Sequence, residues 1–206
     1  MNKLLVSLLL TLGVTGVAQA AGTALVGDAA AGQAKTVVCG ACHGPDGNSM
    51  APNFPKLAGQ GDKYLLKQLH EIKDGKRQVL EMTGLLTNLS DQDLADIAAY
   101  YSSQKNSVGA ADPALVERGQ ALFRGGDVEK SLPSYTNCHS PDGQGNAPAG
   151  FPHLGGQHAS YIEKQLTDFR EGDRTNDGDA MTMRTIAAKL SNKDIKALAQ
   201  YIQGLH

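Results

Sequence analysis

Five consecutive residues, Cys39-Gly40-Ala41-Cys42-His43, carry the most readable chemistry in this chain. Two cysteines two residues apart, followed at once by histidine, is the spacing that attaches a c-type haem. On one turn of helix both thiols can reach the porphyrin vinyl groups and form thioethers. The histidine then places an imidazole nitrogen on the iron. A CxxC pair alone could equally be a redox disulfide or half of a zinc site. The adjoining histidine, an export-type leader and the lack of a second CxxC favour haem. An incomplete copy follows at Tyr135-Thr136-Asn137-Cys138-His139, with tyrosine where the first cysteine would stand.

The elements that must position these residues come in duplicate. Residues 54–77 align without gaps on 151–174, with 11 identities in 24 positions, among them Phe54/Phe151, Pro55/Pro152, Leu57/Leu154, Gly59/Gly156, Gln60/Gln157, Tyr64/Tyr161, Lys67/Lys164 and Arg77/Arg174. A later match sets Leu89–Tyr100 against Leu190–Tyr201. Similarity of this length and order marks an internal repeat. The expected division is 21–103 and 112–206, joined by a polar, small-residue linker at 104–111. Each half is small for a self-sufficient core, and a large planar cofactor would supply the missing apolar surface. Both halves read as helical, so the fold class is all-α. Asp28 and Asp112 are N-cap candidates for helices leading to the haem motifs, with Pro113 suited to the first helical position. Asp62 is a candidate cap for a helix with Leu65, Leu69 and Ile72 on one face. Ser90 with Asp93, and Ser191 with Asp194, resemble capping boxes with the shorter acid. No run shows the strict alternation of a strand.

A haem iron takes a sixth ligand or keeps an open site. Beyond the leader, the methionines are Met50, Met82, Met181 and Met183. A lone methionine is ordinarily core filler. Here the later alignment places Met82 on Met183, in loops just before the last helix of each half. That correspondence makes both axial-ligand candidates opposite His43 and His139, with Met181 as rival in the second loop. Met50 reads as packing or surface. His70, His153, His158 and His206 have no histidine at their repeat positions, so none is expected on iron. The aspartates around Asn176–Asp179 resemble a calcium loop only loosely, and turn chemistry explains them better.

The segments CGACHGPDGNS, FPKLAGQ, FPHLGGQ, EMTGLL, FREGDRTNDGDAM and the closing LSNKD and YIQGLH resemble the diheme cytochrome c4 family over the whole chain beyond its leader. The resemblance implies two tandem, homologous cytochrome c domains with pseudo-twofold symmetry and two haem c groups. It implies His/Met ligation at both irons, propionates facing each other, and electron delivery to a terminal oxidase. It also implies that the Pro55 and Pro152 carbonyls meet the proximal imidazoles, and that Leu57 and Leu154 pack on the rings. The implied partners are redox proteins: a quinol-cytochrome c reductase-type donor and a haem-copper terminal oxidase acceptor, met peripherally at the inner membrane. Tyr135 departs from the family, which has cysteine there. Three readings stay open: a haem held by Cys138 alone, an empty or partly loaded site, or an altered residue in an ordinary diheme sequence.

The first twenty residues read as a leader. Lys3 gives a basic start, Leu4 to Val17 is apolar, and Ala18-Gln19-Ala20 is a small-x-small cleavage site. Cleavage after Ala20 and export to the periplasm are expected, with no disulfide, because every cysteine sits in a haem-type motif. The net charge of -2 makes nucleic acid a poor partner. The expected function is single-electron transfer without bond chemistry. The rivals are a diheme subunit bound to a flavin-dependent dehydrogenase, and a diheme peroxidase, which needs a displaceable sixth ligand.

Overall fold

A computed structural model describes residues 25–206. The expected leader lies outside the described residues. Within them the regular structure is helical: α1 (Ala29–Lys35), α2 (Val37–His43), α3 (Asp62–Lys73), α4 (Asp91–Ser103), α5 (Pro113–Gly125), α6 (Thr136–His139), α7 (Ala159–Glu171), α8 (Thr182–Ala187) and α9 (Asn192–Gly204). Every substantial helix–helix packing falls within one half. α1 packs on α4 and α3 on α4; α5 packs on α9, and α7 on α8 and α9.

Local chemistry sets where these helices begin. The Asp28 carboxylate accepts from the backbone N–H groups of Ala30 and Ala31, and Asp112 accepts from that of Ala114 with Pro113 opening α5. Each satisfies donors that a helix start leaves unpaired. Ser90 with Asp93 and Ser191 with Asp194 form reciprocal capping boxes at α4 and α9. Asp62 differs from expectation. It is the first residue of α3 rather than its cap, Gly61 holds the cap position, and the Asp62 carboxylate accepts only from the N–H of Lys63.

The first and last helices of each half cross at a glycine. A Cβ on Gly32 would lie 2.0 Å from the Asp96 carbonyl oxygen, and one on Gly119 would lie 2.2 Å from that of Ala197. The contact brings backbone against backbone, so no larger residue fits. Polar ties fasten the crossings: Lys35 reaches Asp93 and Asp96, while Arg118 and Lys130 both reach Asp194.

The halves differ between the first helix and the haem motif. In the second half an extra excursion closes through an antiparallel bridge between Asp127 and Leu132. It leads into Tyr135, whose N–H donates to the Phe123 carbonyl. The helix that follows has 4 residues, against 7 for α2.

Gly119→Ala should lower unfolding stability by about 1–3 kcal/mol, because the added methyl must push two helices apart. Gly125→Ala, where nothing lies within 4 Å, should leave it nearly unchanged. Thermal or denaturant unfolding of the two variants checks this.

Candidate functional site

The site begins with a strap. After His43 the chain turns through Gly47, whose φ of 83° suits glycine, and the Gly47 carbonyl accepts from the N–H groups of Leu57 and Ala58. That lays Pro55–Leu57 beside the end of α2. The second half repeats it, with Gly143 accepting from Leu154 and Gly155. The strap delivers a carbonyl to each imidazole. His43 Nδ1 donates to the Pro55 carbonyl at 2.9 Å and His139 Nδ1 to the Pro152 carbonyl at 3.0 Å. Committing Nδ1 fixes the tautomer and leaves the Nε2 lone pair for a metal. Burial lowers both histidines below their ordinary pKa, and the carbonyl contacts offset this only in part. Both rings are therefore held neutral, as ligation requires.

One cavity of about 1330 Å3 runs along both histidines. Its walls include Cys39, Cys42, His43, Pro55, Leu57 and Met82 from the first half, and Cys138, His139, Pro152, Leu154 and Met183 from the second. The volume exceeds the ~300–1,000 Å3 of a single small-molecule site. Much of the remaining lining is apolar, with Leu65, Leu69, Ile72, Leu86 and Ile97 on one side and Ile162, Leu166, Phe169, Ile186 and Ile202 on the other.

The methionines are not in irregular loops. Met82 ends a short 3₁₀ turn, Leu80–Met82, and Met183 lies in α8. Met183 packs against the second core, whereas Met181 is 48% exposed in a left-handed backbone conformation. Met50 is on the surface. The other histidines have polar tasks. His153 donates to the Gly59 carbonyl, His158 contacts Ser49, His70 lies 3.7 Å from Asp91, and His206 contacts the Gly204 carbonyl. The Asn176–Asp179 turn is used internally: Asp177 accepts from Arg184, and Asn176 donates to Gln68 and Glu71. Among the described residues no cluster of acidic, cysteine and histidine side chains is arranged for a metal ion.

Tyr135 is well packed. Its ring is buried, lies nearly parallel to Phe123 and His139 at centroid separations of 6.0 and 6.3 Å, and lines the cavity. Burial pushes its hydroxyl pKa up.

Two further candidate site residues are Arg77 and Arg174. Both line the cavity where the halves meet. Arg77 donates to Gln68, Gln165 and the Tyr161 hydroxyl, and Arg174 to Gln165, Gln68, Asn176 and the Tyr64 hydroxyl. Every one of these acceptors is neutral. Burial alone would raise Tyr64, yet Arg174 and Arg77 outweigh it and hold the phenol below its ordinary pKa. Two guanidinium groups at one seam make a seat for carboxylates. Both arginines stood among the repeat identities, so the signal was present; their convergence was not visible.

These residues fit haem: neutral imidazoles with Nε2 uncommitted, methionine sulfur, apolar walls and cations for propionates. The cytochrome c family model matches residues 21–105 and again 116–206. Cytochrome c4 of Pseudomonas aeruginosa is 75% identical over 206 residues, covering 100% of both chains. The chain belongs to the cytochrome c4 family. It is a diheme electron-transfer protein of two cytochrome c domains, binding two haem c. The crystal structure of reduced recombinant cytochrome c4 from Pseudomonas stutzeri superposes with a TM-score of 0.87 at 68% identity, covering 88% of this chain and 100% of that one. A thiosulfate dehydrogenase electron acceptor of Thiomonas intermedia is more distant, 35% identical over 84% of this chain and 81% of its own.

Because a nearby cation favours the reduced iron, Arg77→Met and Arg174→Met should each make reduction less favourable by about 1 kcal/mol, lowering the reduction potential. A redox titration that shows no decrease contradicts the assigned role.

Proposed function

We propose that this cytochrome c4 carries electrons in the periplasm from a quinol-cytochrome c reductase-type donor to a haem-copper terminal oxidase, working at the inner-membrane surface. In this reading residues 1–20 are a leader cleaved after Ala20, and 21–103 and 112–206 are the two haem domains with 104–111 between them. His43 and Met82 ligate the first iron, and His139 and Met183 the second. Cys39 and Cys42 form two thioethers; Cys138 forms one. Haem c supplies a one-electron iron couple. The chain's own residues hold and orient it, exclude water with apolar walls, and neutralise its propionates through Arg77 and Arg174.

The observation that carries this reading is the matched pair of imidazoles on proline carbonyls, each sharing one apolar cavity with a methionine on a short helical turn. Tyr135 fills the place of the absent thiol without closing the cavity, so iron ligation and apolar burial remain to hold a porphyrin there. Among the described residues no helix is long and apolar enough to cross a membrane. A second reading of the donor, a dehydrogenase handing over electrons directly, is favoured by the similarity to a protein named as a thiosulfate dehydrogenase electron acceptor.

Methionine sulfur on oxidised haem iron gives a weak far-red absorption band. Met82→Ala should remove the first haem's share and lower its potential, and Met183→Ala should do the same at the second. Met181→Ala should do neither. A spectrum unchanged in Met82→Ala or Met183→Ala contradicts the ligand assignment.

A further inference from the structure

The contact between the halves is built from the same FPxLxGQ repeat that serves the histidines, and it is reciprocal. Gln157 accepts from the Lys56 N–H and donates to the Lys56 carbonyl, both at 2.9 Å. Gln60 accepts from the His153 N–H at 2.7 Å and donates to the His153 carbonyl at 2.9 Å. Lys56 and His153 occupy equivalent repeat positions, as do Gln60 and Gln157. Both glutamines are buried, at 7% exposure each. Each also accepts from the N–H of its own successor, Gly61 or His158, at 3.0 Å.

The Lys56 N–H belongs to the same peptide unit as the Pro55 carbonyl, and that carbonyl accepts from His43 Nδ1. The His153 N–H likewise shares a peptide unit with the Pro152 carbonyl, which accepts from His139 Nδ1. Each proximal imidazole is therefore hydrogen-bonded to a peptide whose other end is held by a glutamine of the opposite domain. The two ends of a peptide are conjugated. An acceptor on the N–H pushes electron density to the carbonyl oxygen and strengthens the bond it receives. A stronger bond at Nδ1 makes the imidazole a better donor through Nε2.

We infer that Gln157 is a positioning and tuning residue for the first haem, and Gln60 for the second, each acting across the domain interface through one peptide unit. The inference rests on His43 and His139 being iron ligands. Neither glutamine touches the metal. Their effect is to hold the strap in register and to favour oxidised iron at the haem of the other domain. Docking of the domains and electron affinity of the centres are then one linked property.

The test uses the full haem-loaded protein, with separate midpoint potentials for the two haems and hydrogen exchange of the imidazole Nδ1–H followed by NMR. Gln157→Leu should raise the first haem's potential and speed His43 Nδ1–H exchange roughly tenfold, the consequence of weakening one hydrogen bond by about 1.4 kcal/mol. The second haem should barely respond. Gln60→Leu should give the mirror result. Gln157→Glu keeps an acceptor for the Lys56 N–H and adds charge to it while giving up the bond to the Lys56 carbonyl, so the first haem's potential should fall, and by more than the second's. Should Gln157→Leu fail to fold, Gln157→Glu decides alone. Ser160→Ala, which removes a separate cross-interface bond to the Pro52 carbonyl, should move neither potential. Equal shifts at both haems, or no shift in any glutamine variant, overturn the inference. Failure of the underlying reading would show earlier and differently, as missing histidine ligation in the unmodified protein.

Discussion

An imidazole offers Nε2 to a metal reproducibly only when its Nδ1 proton is already committed, and here that commitment is a backbone carbonyl placed by proline. The rest of each domain serves that one bond. The glycine turn after the histidine accepts the strap's N–H groups, so the carbonyl arrives at 2.9 or 3.0 Å. The helix crossing at Gly32 or Gly119 brings the first helix against the last. Burial then lowers the ring's pKa and favours its neutral form.

Duplication doubles this device without making the halves equal. The contiguous buried cluster of the first half is small, centred on Leu65, Ile97, Tyr100 and Tyr101. That of the second is larger and includes Phe123, Leu132 and Tyr135. The added excursion through Asp127–Leu132 supplies part of that surface. A domain with more core of its own depends less on covalent attachment of the cofactor. This is a physical setting in which a thioether-forming cysteine can become tyrosine while the pocket survives. The seam between the halves collects what the cofactors need in common, with arginines facing neutral acceptors and glutamines gripping the opposing straps.

Much of this was legible in the residues. Helix starts at Asp28, Asp112, Ser90 and Ser191 follow from short-range chemistry that survives any tertiary context. The pairing of Met82 with Met183 emerged from repeat arithmetic, although their short helical turns did not. Asp62 was misplaced by one position since Gly61 caps without a side chain. The crossing glycines escaped notice because the excursion before Tyr135 breaks the repeat offset. Arg77, Arg174, Gln60 and Gln157 were visible as identities but mute as to purpose. Their roles exist only where the two halves meet, and a linear pattern carries no information about which faces meet.

The central claim is that both pockets carry a His/Met-ligated haem despite the tyrosine in the second motif. Its most direct test is the mass of the intact mature protein before and after denaturing extraction, which counts covalent and released haem per chain. The account predicts a chain starting at Ala21 with two haems that both stay attached, the second through Cys138 alone. One covalent haem per chain, with no second released, would contradict it.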